Sequence, residues 1–292
     1  MKLPAKYREP MLGYLLIIPI ILLIIGLIGF PVLNTLYLSL TNKRVGMPPK
    51  FIWFKNYIDL FKTPAYWRVL FNTVIYMGVA VACKLFFGMI LALTLNEKFF
   101  GRTLVRVLLL LPWTIPGMVS AMIWKWMYND TYGIINALLL RWNLIDLPIP
   151  WLSGMKIVLF SVIIVNIWCG IPFFLFSILG ALQTLDRELY DAAEIDGANA
   201  FQRYIYITLP SILPVVQITL LLSSIWTFND FENVFLITGG GPLNASSIIA
   251  TFTYELAFLY NDLGKALSVA VSVVPILVVL VFFALRNLAK SE

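Results

Sequence analysis

Leu185-Asp-Arg-Glu-Leu-Tyr-Asp-Ala-Ala-Glu-Ile-Asp-Gly-Ala-Asn-Ala-Phe201, running on to Ile207-Thr-Leu-Pro210, is a polar segment in a chain that is otherwise mostly apolar. It holds five of the fifteen acidic residues, all between Asp186 and Asp196. Uncharged runs at 157–185 and 204–229 flank it. Thr184 is placed to cap a helix whose first turn carries Asp186 and Glu188, where the helix dipole favours carboxylates. Gly197 suits the left-handed conformation that ends a helix. Phe201, Tyr204, Ile205 and Thr208 follow at i, i+3, i+4 and i+7, a stripe that a second short helix would bury before Pro210 opens the next span. Ala192 and Ala193 are small enough for another backbone to approach. A charged, glycine-hinged bracket between two apolar spans must stay outside the bilayer. Either a water-soluble partner grips it, or it is an interfacial hairpin.

The flanking runs set the class. The chain is 61% hydrophobic and 12% charged, against roughly 25% charged residues in soluble domains. Charge-poor stretches recur at 10–42, 69–96, 107–124, 157–185, 204–229 and 266–285, and about 20 apolar residues suffice for a helix to span a bilayer. Six transmembrane helices are expected, in an all-α integral membrane protein. A membrane β-barrel would alternate in roughly ten-residue segments instead. The first apolar run exceeds a signal peptide's core and is expected to be a permanent anchor. The net charge of +6 sits in loops beside the spans, so lipid headgroups, not nucleic acid, are the expected partner. Cys83 and Cys169 lie in apolar spans and are expected to be free thiols. The chain has no histidine, which excludes histidine proton relays, haem ligation by histidine and zinc-protease motifs.

Other features lie inside the spans. Thr41 to Arg68 is basic and aromatic, as expected of an interfacial helix or a docking surface. Lys84 sits mid-span, where a cation must face the bundle interior, a wet cavity or a route to the headgroups. Pro112 and Pro116 should break or kink the third span. Asn166-Ile-Trp-Cys-Gly-Ile-Pro-Phe173 suggests a locally loosened fourth span with a polar facet. Ser223, Thr227 and Asp230 share one face of the fifth. That stripe is either interhelical hydrogen bonding or the lining of a path for a polar solute. The uncharged 233–254 segment contains Thr238-Gly-Gly-Gly-Pro242 and is expected to be a loop, because lipid cannot satisfy its backbone. Counting Lys and Arg gives ten on each side of the bilayer, so charge alone does not orient the chain.

Asp191-Ala-Ala-Glu-Ile-Asp-Gly-Ala-Asn-Ala-Phe-Gln-Arg-Tyr-Ile-Tyr-Ile-Thr-Leu-Pro210 resembles the EAA motif of ABC-importer permeases, with Asp191 in place of the usual glutamate and Asp186 where proline is common. Asn166-x-Trp168-x-Gly170-x-Pro172-Phe173, Phe228-Asn-Asp-Phe231, Thr238-Gly-Gly-Gly-Pro242 and Pro112…Pro116…Trp124-Lys125 resemble the maltose-permease-like branch, which imports carbohydrates. The resemblance spans about 68–286. It implies a type I ABC importer permease fold and a coupling helix at 185–209, with Asp191, Ala192, Ala193, Glu194, Asp196, Gly197, Phe201 and Pro210 meeting a cytosolic ATPase. It implies a solute cavity matching Asn166, Gly170, Phe173, Ser223, Thr227, Asn229 and Asp230; Asp230 would disfavour an anionic solute. The implied partners are a second, homologous permease subunit, two ATPase subunits that carry ATP and magnesium, and an extracytoplasmic solute-binding protein. The chain itself has no G-x-x-x-x-G-K-[ST] stretch, no cofactor is expected on it, and it is expected not to be an enzyme. The implied location is a prokaryotic cytoplasmic membrane with both termini in the cytoplasm. The implied organisation is residues 1–67 (N-terminal tail, first span and basic segment), 68–286 (transmembrane domain) and 287–292 (tail). An ion-coupled secondary transporter or channel using Lys84, Asp230 and Glu232 is the alternative.

Overall fold

A computed structural model describes residues 5–288 of the chain, so the ends of the expected 1–67 and 287–292 segments lie outside the described residues. Among the described residues there is no strand, only two isolated bridges. The helices are α1 (Ala5–Ile24), α2 (Phe30–Ser39), α3 (Lys55–Lys62), α4 (Pro64–Asn96), α5 (Arg102–Thr114), α6 (Gly117–Met127), α7 (Ile134–Arg141), α8 (Val158–Leu182), α9 (Arg187–Ile195), α10 (Ala200–Arg203), α11 (Leu209–Phe228), α12 (Phe231–Thr238), α13 (Ile249–Tyr254), α14 (Leu263–Ser272) and α15 (Val274–Leu288). Wide π turns at Ile25–Gly29 and Tyr204–Thr208 bridge α1 to α2 and α10 to α11. Each ends two residues before a proline, Pro31 and Pro210. Proline lacks an N–H and its ring crowds the carbonyl four residues back, and a widened turn relieves that crowding without breaking the helix.

Four helices are long and apolar enough to cross a bilayer: Leu16–Ser39, Pro64–Asn96, Val158–Leu182 and Ala200–Thr238. The third expected span is a broken pair, Arg102–Thr114 and Gly117–Met127, bent by 94°. Pro116 sits at the break as the N-cap of α6, as the paired prolines predict. The sixth is interrupted at Val273, one residue before Val274-Pro275.

The chain forms two compact units. In the first, residues 1–62 with 253–273, the stretch after α2 is held by buried Asn56, whose amide donates to the carbonyls of Ser39 and Thr41 (both 2.8 Å). Only Lys55–Lys62 of the basic, aromatic segment is helical before Pro64 begins α4. The interfacial helix expected over 41–68 is therefore much shorter: 42–54 is turns and loop whose backbone pairs with the 261–264 stretch, as in Val45 N–H to Asn261 C=O and Gly264 N–H to Lys43 C=O.

The second unit, residues 63–252 with 274–292, is built on α4 against α8, its most extensive helix pair. Gly88 makes the crossing close: a Cβ there would overlap the Cβ of Phe174. Around it Val81, Ala92, Phe174, Leu175 and Ile178 are buried together. Contrary to the loosened fourth span expected from Gly170 and Pro172, α8 runs unbroken through both. The segment 128–157 folds round buried Asn136, which accepts from Ile149 N–H and Trp151 Nε1–H and donates to the Asp130 and Ile149 carbonyls. Residues 233–254 are not all loop. Phe231–Thr238 is helical, the turn at 239–248 follows, and helix resumes at Ile249. Asn72 of α4 donates to the carbonyls of Asn244, Ala245 and Ser247, which supplies part of the hydrogen bonding this backbone needs away from water.

Candidate functional site

Two features of the second unit carry chemistry. The first is the bracket at 186–208. Asp186, not Thr184, caps α9: its carboxylate accepts from Glu188 N–H at 3.1 Å. Thr184 instead donates back to the Ala181 carbonyl at 2.8 Å, because it belongs to the last turn of the preceding span. Gly197 has φ +81°. Its N–H reaches the Glu194 carbonyl (3.0 Å) and Ala198 N–H reaches that of Ala193 (2.9 Å), the paired bonds of a Schellman helix end. Asn199 and Gln202 then form a reciprocal capping box. Arg203 bonds Glu194 at 2.7 Å, and the Tyr190 and Thr208 hydroxyls meet at 2.8 Å, tying the two arms together.

The second arm differs from the expectation. It is not a separate short helix that ends at Pro210; it runs through the π turn into α11, so helix continues from Ala200 to Phe228 before the break at Asn229–Asp230. Thr208 is buried and Tyr204 and Ile205 are half-buried, but Phe201 is 73% exposed. Thr208 meets Tyr190 of α9, whereas Phe201 lies on the far side of the π turn at Tyr204–Thr208, whose wider turn breaks the i, i+7 spacing that would have put the two on one face. Ile195 (87% exposed), Leu189, Glu194, Asp196 and Gly197 are exposed like Phe201, and Asp191, also exposed, lines a groove with Arg187, Tyr190 and Arg203.

The second feature is a cavity of about 180 Å³. It brings together Asn166, Gly170 and Phe173 of α8 with Ser223 and Thr227 of α11 and Asp230, the cap of α12. Asn229 is left out: it is exposed and its amide donates to the Ile225 carbonyl at 3.0 Å. Six residues beyond Ser223, it falls off the stripe that 223, 227 and 230 define. The cavity also contains Lys84, Trp113, Cys169, Trp226 and Asn233, which the motif comparison did not select. Completing the helical faces would have found two of them, since 166, 169, 170, 173 and 223, 226, 227, 230 repeat one spacing.

One wall is aromatic. Trp113 stacks on Phe173, ring centres 5.3 Å apart and planes 18° apart, and Trp226 leans on Phe173 at 4.9 Å. The polar part is ordered by Asp230. Its carboxylate accepts from Tyr76 Oη–H (2.5 Å), Asn166 Nδ2–H (2.6 Å), Asn233 Nδ2–H (2.9 Å) and Asn233 N–H (3.3 Å). The acid expected to face the solute is thus the hub of a network joining α4, α8 and α12, and it caps α12. Lys84 donates to Thr227 Oγ1 at 2.8 Å and to Ser223 Oγ at 3.4 Å. A Cβ at Gly170 would overlap its stem.

Residues 84–290 match the family model described as "Binding-protein-dependent transport system inner membrane component". The trehalose/maltose transport system permease protein MalF of Thermococcus litoralis is 36% identical over 280 residues, covering 95% of this chain and 92% of that protein. The inner membrane ABC transporter permease protein YcjO of Escherichia coli is 34% identical (88% and 87% covered), and the sulfoquinovosyl glycerol transport system permease protein SmoG of Agrobacterium fabrum 32% (90% and 85%). Among solved structures, a chain of a bacterial ABC transporter involved in import of the acidic polysaccharide alginate superposes with TM-score 0.83 at 22% identity, covering 98% of this chain and 97% of that one. The fold is that of type I ABC importer permeases. The chain belongs to the binding-protein-dependent transport system inner membrane components, the membrane-spanning subunits of ABC importers.

Proposed function

We propose that this chain is one of two homologous permease subunits that together move a carbohydrate (a sugar, oligosaccharide or polyol) across a prokaryotic cytoplasmic membrane. A solute-binding protein delivers the carbohydrate, and two ATPase subunits, which carry ATP and magnesium, drive alternating access. The observation that carries the reading is the cavity between α8 and α11. It sets an aromatic wall beside amides and hydroxyls, the combination that grips a sugar's apolar ring face and its hydroxyls together. Relatives named for trehalose/maltose and sulfoquinovosyl glycerol transport support the solute class. In this reading residues 68–286 form the transporting domain, and the bracket's exposed face docks in a cleft of the ATPase on the cytoplasmic side. Both termini then lie in the cytoplasm. The ion-coupled alternative loses its chief acid, because the carboxylate of Asp230 is already engaged by protein donors.

The test uses the assembled complex in proteoliposomes. A leucine at position 197 must hold φ near +81°, a strain of about 1–2 kcal/mol, and Asp191→Lys reverses a charge on the docking face. Each is expected to lower carbohydrate uptake at least about tenfold while ATP hydrolysis continues, because coupling rather than chemistry is lost. Wild-type uptake by both variants would overturn the reading.

A further inference from the structure

Lys84 has no task in the account above, yet its surroundings are specific. The ammonium is buried, its hydrogen bonds go to Thr227 and Ser223, and it forms no ion pair among the described residues. Asp230 lines the same cavity but is occupied by Tyr76, Asn166 and Asn233. A buried charge without an ionic partner is costly, and the glycine at 170 leaves just the space its stem fills.

The hydroxyls it holds are unlike their neighbours. Thr219 and Ser224 donate to the carbonyls four residues back, at 2.7 Å each. Ser223 and Thr227 have no such bond; each receives one hydrogen bond, from Lys84. A hydroxyl whose lone pair takes an ammonium keeps its own hydrogen to donate, and an ammonium with two of three hydrogens engaged keeps one. Around Lys84 the cavity therefore presents a cluster of donors. Asn166 and Asn233 complete the polar lining. Asp230 draws both NH2 groups toward itself, and both amide carbonyl oxygens are buried without a partner.

We propose that Lys84 is a specificity-determining residue for the solute. It positions Ser223 and Thr227 as donors, so the cavity selects a carbohydrate that turns acceptor oxygens toward Lys84. The acceptors are ring and glycosidic oxygens or a carboxylate, and a cationic amino sugar is repelled. The inference rests on the carbohydrate reading.

The experiment compares the wild-type complex with Lys84→Met and Lys84→Arg in proteoliposomes, using neutral and uronate oligosaccharides that the binding protein has been shown to load. Uptake and ATPase stimulation by the loaded binding protein are measured together. Lys84→Met is expected to lower uptake at least about tenfold, ATPase stimulation less than about twofold, and Lys84→Arg to restore part of the uptake. A larger loss for uronates identifies a carboxylate as the acceptor; an equal loss identifies ether oxygens. Wild-type uptake by Lys84→Met, or equal loss of uptake and ATPase stimulation, overturns the inference. If Lys84→Met does not assemble, Thr227→Val, which removes the nearer hydroxyl, is judged by the same two measurements. If the wild-type complex imports no carbohydrate, the functional reading falls and this inference falls with it.

Discussion

A valine at position 88 is expected to keep the α4–α8 pair from closing, so that little assembled complex is recovered. At Gly88 even a Cβ would overlap the Phe174 Cβ and stand 3.2 Å from the Leu175 nitrogen. Both neighbours lie in a buried, continuous helix and cannot move aside as a flexible side chain would. Overpacking of this kind costs about 3 kcal/mol or more. Gly78, on the same helix, has nothing within 4 Å of its Cβ position. Gly78→Val should change stability by no more than about 0.5 kcal/mol, which makes it the control. Thermal melting of the purified complex, followed by size-exclusion chromatography, checks both. If the two variants melt together, the close crossing of α4 and α8 is wrong.

Asp230→Ala is expected to cost on the order of 3–5 kcal/mol, the usual result of removing one partner from a buried charged network. It strands donors on Tyr76, Asn166 and Asn233 and deletes the cap of α12. Asp230→Asn keeps the shape but turns an NH2 toward groups that are themselves donors, so it should fall between alanine and wild type. The same melting assay checks this, with uptake measured beside it. An alanine variant that melts like wild type but no longer transports would make Asp230 a ligand of the solute and not the residue that orders the other side chains.

The long apolar runs and the Asp191–Pro210 pattern disclosed the helical membrane class and the family, because burial in lipid and helix-end chemistry are local demands that leave local marks. Gly197 is an example: its left-handed φ follows from its place after α9. Proline 116 likewise marks the break that the structure has. What stayed hidden depends on partners far along the chain. Lys84 lies about 140 residues before the hydroxyls it reaches. Nothing near Asp230 in sequence announces that Tyr76 and Asn166 will occupy its carboxylate. Asn229 stands beside Asp230 in the Phe228–Phe231 motif, but a helix sorts residues by angle, and Asn229 falls on the exposed side. The regular 3.6-residue periodicity puts Phe201 on a buried stripe with Thr208, but the π turn at Tyr204–Thr208 interrupts that periodicity and leaves Phe201 exposed.

The continuity of the second arm with the fifth span has a mechanical consequence. Because helix runs from Ala200 through the π turn to Phe228, the exposed arm and the cavity wall belong to one continuous element. Ala200 and Thr227 are separated by about 40 Å of helix at 1.5 Å per residue, and the π turn at Tyr204–Thr208 and Pro214 lie between them. In the proposed transporter, a displacement of Phe201 would be carried along this same helix toward Ser223 and Thr227, with the π turn as the place where it could be absorbed.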